Sequence, residues 1–253
     1  MVAICHGTPQ FQGQYDILYD KADLGDVIES SRAEMVSSLG NTHVILNSYQ
    51  AQSEWRFWSS SVIWHGFQPS EFYPISKSRH IITMGSEKIR QRPIYNGYFL
   101  FKKCMEILDP EELNLDIGTL EIKNSNIRIA RTAHLQMWAR AKFSRYREEL
   151  ARTSFYMNFT QRSPMPRTRG EGMMSGVVPV TTANHDAALF IKHGDNGFLF
   201  DSADEFKEVI RFVDRHPAKW EAWSRSARDT AIQEFHIDRY LREWEEIFRD
   251  IAR

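Results

Sequence analysis

Between Arg167 and Phe200 the chain reads RTRGEGMMSGVVPVTTANHDAALFIKHGDNGFLF. A helix is predicted to start just after Pro166 and to stop at Gly176, because proline at a helix start and glycine past its end is the usual terminal asymmetry. The β-branched stretch Val177-Val178-Pro179-Val180-Thr181-Thr182 then reads as a buried strand. A loop at 183–186 leads to a short amphipathic turn, an Asp195-Asn196-Gly197 turn and a second apolar strand at 198–200. Strands buried on both faces and separated by helices form parallel sheets, so this one stretch already restricts the chain to an α/β architecture.

The same alternation runs through the rest of the chain. A strand at 2–5 stops at His6-Gly7-Thr8-Pro9, a helix at 26–39 stops at Gly40, and a strand at 42–46 meets Asn47-Ser48, a helix cap for 49–58. A strand at 62–64 and a proline-bounded loop to Pro74 close this first unit. A second unit begins with a strand at 81–84 and a basic loop carrying Lys88, Arg90 and Arg92. It continues with a helix at 93–108, strands at 113–117 and 127–130, a helix at 135–152 and a strand at 155–159. Beyond Phe200, Asp201-Ser202 caps a helix at 203–215, and Pro217 opens another reaching about 234. The last helix, 237–253, carries Ile237, Tyr240, Leu241, Trp244, Ile247, Phe248 and Ile251 at helical spacing, a stripe that requires burial against a body. The expected division is 1–75 for a partial first domain, 76–235 for a second domain, and 236–253 for a helix returning to the first.

Several functions are disfavoured at this point. A net charge of −1 provides no long-range attraction for nucleic acid. Two cysteines cannot build a disulfide framework, and with no apolar run of 18 residues and no signal-peptide pattern the expectation is a soluble, cytoplasmic protein. The sequence contains no Gly-x-Gly-x-x-Gly, no phosphate-binding loop of the ATPase type and no Asp-x-Asp, so nicotinamide, ATPase and metal-diphosphate chemistry all lack support.

The helix start after Pro166 does suggest chemistry. Amides without partners and a partial positive charge suit a phosphate there, reinforced by Arg167, Thr168 and Arg169. Pro166 has no N–H, so the contacts must come from later amides and from guanidinium groups. Glu171 cannot help to bind an anion, but it can accept hydrogen bonds from a neighbouring sugar diol. Taken alone it reads rather as a helix-start carboxylate of capping-box and dipole chemistry, worth under about 1 kcal/mol. Likewise Lys88, Arg90 and Arg92 read either as phosphate ligands or as a solvated loop.

Glu171, Gly172, Met173, Met174, Ser175, Gly176, Val177, Val178, Pro179 and Val180, followed by Gly194, Asp195, Asn196, Gly197 and Phe198, resemble the donor-binding core of GT-B-fold retaining glycosyltransferases of the family 4 type. The likeness extends to His6-Gly7-Thr8-Pro9, Asn47-Ser48 and the 62–74 segment. It covers the family from the middle of its first domain onward. It implies two Rossmann-like parallel-sheet domains, the first incomplete, with a nucleotide-diphosphate sugar between them and no further cofactor or metal. On that resemblance His6, Gly7 and Arg90 face the reacting sugar and diphosphate, and Met165, Pro166, Arg167, Thr168, Arg169, Glu171, Lys88 and Arg92 hold the donor. The chain departs from the pattern in three places. The first glutamate of the family's pair is Ser163, and its two diphosphate cations are Ser86 and Gln91. The implied activity is transfer of a hexose to a glycan, lipid or protein acceptor with retention. Rival readings are a non-catalytic nucleotide-sugar-binding relative and an epimerase on the same fold. A first unit this small also implies that a second copy or another chain covers it.

Overall fold

The computed structural model describes residues 1–6, 8–9, 25–74, 80–83, 93–108, 113, 116–119 and 143–251. In chain order these form β1 (Val2–Cys5), α1 (Gly25–Leu39), β2 (His43–Leu46), α2 (Tyr49–Trp55), β3 (Ser60–Val62), β4 (His80–Thr83), α3 (Pro93–Asn96), α4 (Tyr98–Ile107) and β5 (Asp116–Thr119). They continue with α5 (Phe143–Arg152), β6 (Phe155–Asn158), α6 (Arg167–Met174), β7 (Val178–Thr182), α7 (Ala187–Phe190), β8 (Phe198–Phe200), α8 (Ala203–Arg215), α9 (Trp220–Phe235) and α10 (Ile237–Ile251). One sheet has the order β1-β2-β3 and the other β5-β4-β6-β7-β8. Every described pairing is parallel, as the alternating pattern requires.

The larger sheet shows why its strands read as continuous apolar runs. Phe155, Met157, Val178, Val180, Phe198 and Phe200 pack to one face with Phe206, Ile210 and Val213 of α8. Tyr156 points the other way, into a cluster with Met173 and Met174 of α6 and Ala227, Ala231 and Phe235 of α9. Full burial of one such side chain contributes about 1.5–3 kcal/mol. The smaller sheet has a smaller described core of Val44, Leu46, Ala51, Trp55 and Phe57.

Some boundaries differ from those expected, each for a local reason. The helix expected over 49–58 ends at Trp55, because Arg56 takes a left-handed conformation at φ 55° and returns its N–H to the Gln52 carbonyl. The chain reversal lays Phe57 on Trp55 with ring centroids 5.2 Å apart. The strand expected at 62–64 is instead Ser60–Val62, paired with Val44–Leu46. The helix expected over 93–108 breaks at Gly97 (φ 73°), where a Cβ would lie 1.7 Å from the Phe159 carbonyl oxygen. The strand expected at 113–117 lies at Asp116–Thr119. The strand expected at 127–130 lies outside the described residues.

A backbone seam joins the first unit to the C-terminal helices. The Phe67 amide donates to the Phe235 carbonyl at 2.8 Å, and the Ile237 amide donates to the Phe67 carbonyl at 3.0 Å. Arg239 of α10 donates to the carbonyls of Trp64 (2.8 Å) and His65 (3.2 Å). No helix among the described residues is long and apolar enough to cross a membrane.

Candidate functional site

The site is built around the start of α6. Pro166 precedes it with non-helical geometry (ψ 117°), and its carbonyl accepts from the Arg169 amide at 3.0 Å. The Arg167 and Thr168 amides precede any carbonyl that their own helix could offer. Gly170 lets the helix lie flush against the first unit, since a Cβ there would sit 2.4 Å from the Phe67 ring. Arg167 is largely exposed, its guanidinium 5.4 Å from the Phe67 centroid and its Nε 3.3 Å from Glu171 Oε1.

Glu171, one turn in, is 5% exposed. The Tyr146 hydroxyl of α5 donates to its Oε2 at 2.6 Å. Burial, followed by the Glu171 charge and the hydrogen bond to it, holds the Tyr146 phenol well above its ordinary range, so it remains protonated. Thr168 bonds to both Tyr146 and Tyr156 through its side chain, facing inward rather than toward the helix mouth.

The opposite wall comes from the first unit. His6, exposed at the end of β1, stacks on His65 with centroids 6.3 Å apart. Burial, then the charges of Arg167 and His6, lower His65 to about 4, and its ring also bonds to the Met165 backbone. The imidazole is therefore neutral at ordinary pH, a polar group held against the loop that enters α6.

Arg169 departs from its expected place at the helix mouth. It is 1% exposed beneath the helix, where its Nη2 donates to Thr181 Oγ1 (2.9 Å) and Asn184 Oδ1 (2.7 Å). Asn184 passes the link on to the Ser163 carbonyl at 2.8 Å. Burial lowers the guanidinium to about 10, so it stays charged at neutral pH. The adjoining His185-Asp186 pair binds protein rather than an open cleft. Asp186 accepts from the amides of Tyr49 (2.8 Å) and Gln50 (3.2 Å) and from the Trp64 indole (2.8 Å). His185, left-handed at φ 47°, meets Ser48 Oγ at 3.1 Å.

The structure thus brings together His6, Met165, Pro166, Arg167 and Glu171. It adds His65 and Phe67, from the 62–74 segment, and Tyr146, for which the sequence held no motif, and it sets Thr168 and Arg169 behind them. Gly7, Lys88, Arg90 and Arg92 lie outside the described residues. Asn196 proves to be structural: its Nδ2 donates to the Phe190 carbonyl and to Thr230, each at 2.8 Å, pinning the turn to α9. Among the described residues no group of three or more His, Cys, Asp or Glu side chains could hold a metal ion.

Residues 122–246 match the model of a glycosyl transferase-like family. No curated protein matches the chain in sequence. Among solved structures the chain resembles sucrose-phosphate synthase from Thermosynechococcus elongatus at 12% identity and a TM-score of 0.70, over 99% of this chain and 67% of that one. It resembles HepE of Anabaena, solved in complex with UDP-glucose, at 14% identity and a TM-score of 0.70, over 98% and 72%. It resembles TarM, known from S. aureus, at 13% identity and a TM-score of 0.71, over 98% of this chain and 50% of that one. At such identities the likeness concerns architecture: the chain has the parallel-sheet α/β fold of the GT-B glycosyltransferases, and 122–246 match a glycosyl transferase-like family.

Proposed function

We propose that the chain binds a nucleotide-diphosphate sugar and transfers its sugar, a hexose, to an acceptor hydroxyl with retention and without a metal. The observation that carries this is Glu171, a buried carboxylate beside Arg167 at the mouth of α6, across from His6 and His65. The carboxylate suits the ribose diol, and the Arg167 and Thr168 amides with the Arg167 guanidinium suit the diphosphate. HepE, which shares the fold, was solved with UDP-glucose, and this supports a donor of that class.

In the proposed reaction the bond between the sugar C1 and the β-phosphate oxygen breaks and its electrons leave with the phosphate. The acceptor oxygen bonds to C1 on the same face, and its proton passes to a phosphate oxygen. Negative charge grows on the leaving diphosphate, so donors fixed in advance around it lower the barrier most. No second carboxylate is required, which accommodates Ser163.

Calorimetric titration with UDP, GDP, ADP and UDP-glucose tests the binding. One of them should bind saturably, and Glu171→Ala should weaken it about tenfold or more. Unchanged affinity in that variant for every nucleotide that binds the wild type would overturn the reading. A second reading, a nucleotide-sugar-binding protein without transfer, is favoured by Ser163 at the position of the family's first glutamate, with its carbonyl taken by Asn184. Saturable donor binding with neither hydrolysis nor transfer would establish it.

A further inference from the structure

We propose that Tyr146 is a positioning residue that fixes the Glu171 carboxylate for a cis-diol and thereby sets the preference for ribose over 2′-deoxyribose. The inference rests on the donor reading above and deepens it. An ionised carboxylate offers about four lone-pair sites, two on each oxygen. The Tyr146 hydroxyl takes one on Oε2 at 2.6 Å, and Arg167 Nε takes one on Oε1 at 3.3 Å. One site then remains on each oxygen, the arrangement that two neighbouring hydroxyls require. Without the phenol, the carboxylate would be tied at Oε1 alone and free to turn about its terminal bond.

The phenol is itself held in place. Thr168 bonds to Tyr146 and Tyr156. Tyr156 is buried in β6 and accepts from Asn158 Nδ2 at 3.4 Å, and Asn158 Oδ1 accepts from the Thr160 amide at 2.9 Å. A line of hydrogen bonds thus runs from the end of β6 to Glu171. Neither Tyr146 nor Tyr156 has a sequence signature for such a role.

The test compares affinity for UDP, GDP and ADP with affinity for their 2′-deoxy counterparts, alongside inorganic pyrophosphate. The wild type should prefer the ribose form of whichever nucleotide binds by about tenfold or more. Tyr146→Phe should lower that ratio several-fold while leaving pyrophosphate affinity unchanged, a pattern that a merely structural loss would not produce. Glu171→Ala should abolish the ratio. A ratio that survives Glu171→Ala overturns the donor reading itself, as does failure of every nucleotide to bind the wild type. A ratio lost in Glu171→Ala but intact in Tyr146→Phe overturns only the role of Tyr146. Should Tyr146→Phe not fold, Thr168→Val removes the hydroxyl behind the phenol and must shift the ratio in the same direction; an unchanged ratio there overturns the inference.

Discussion

The five-stranded sheet is covered on both faces by its own helices, with Phe155, Val178 and Phe206 on one side and Tyr156, Met173 and Ala231 on the other. Among the described residues the three-stranded sheet packs on one cluster of five buried side chains, with Ile45 buried outside it, and Ile4 on its first strand is 55% exposed. The larger sheet is held by dry packing within its own unit. The smaller one is tied across to it by the Asp186 and Arg239 side chains and the Phe67 backbone, with Phe67 and Phe72 packed into the larger unit's apolar cluster; of these ties, the side-chain bonds are the ones a single substitution can cut. Sites formed between two such units inherit the adjustability of the weaker one.

The largest effect is expected from breaking the packed side. Phe206, fully buried against Phe159 and Phe200, should cost about 3–5 kcal/mol when changed to alanine, read as a lowered midpoint in denaturant. Asp186→Ala should cost less, about 1–3 kcal/mol, by leaving two amides and the Trp64 indole without their acceptor. Its signature should be an early change in tryptophan fluorescence ahead of the main unfolding transition; a single unshifted transition would show that the two sheets are not coupled through this carboxylate.

A pH series sharpens the comparison at the contact itself. His65 falls from 6.5 to about 4 in the folded protein through burial, Arg167 and His6. The unfolded chain therefore binds more protons between those values. Stability from this group is full above about 6.5 and declines as pH falls toward 4, by at most about 1.4 kcal/mol per pH unit. His65→Asn should flatten that part of the profile, and an equally steep profile would assign the acid loss elsewhere. The smallest effect belongs to the partly exposed Arg162–Glu54 pair at 3.2 Å, where Glu54→Gln should change the unfolding free energy by under about 1 kcal/mol.

What could be read from the residues alone follows the same division. Among the described residues the order of strands and helices was legible because periodicity and the Pro166 and Gly176 boundaries are local features. That Glu171 and Arg167 meet was legible because one helical turn separates them. Tyr146 was not, and neither was the place of His65 beside Met165 and Arg167, since each reaches the site through a distant fold contact. Arg169 was misplaced because a charged side chain at a helix start is ordinarily solvated, whereas here Thr181 and Asn184 draw it beneath the helix. The helix ending at Trp55 and the break at Gly97 both depend on neighbours that no local pattern announces.

The buried Arg169 has a further consequence. Among the described residues its guanidinium bonds to neutral oxygens, and its Nε and Nη1 have no partner. Mobile ions weaken fields between solvent-exposed charges far more than fields that cross protein interior. The protein thus keeps a positive charge, offset in part by Asp186, beneath the proposed phosphate site, and brine should barely dim it. Pyrophosphate titrated at rising sodium chloride should retain a residual affinity in the wild type that Arg169→Met loses.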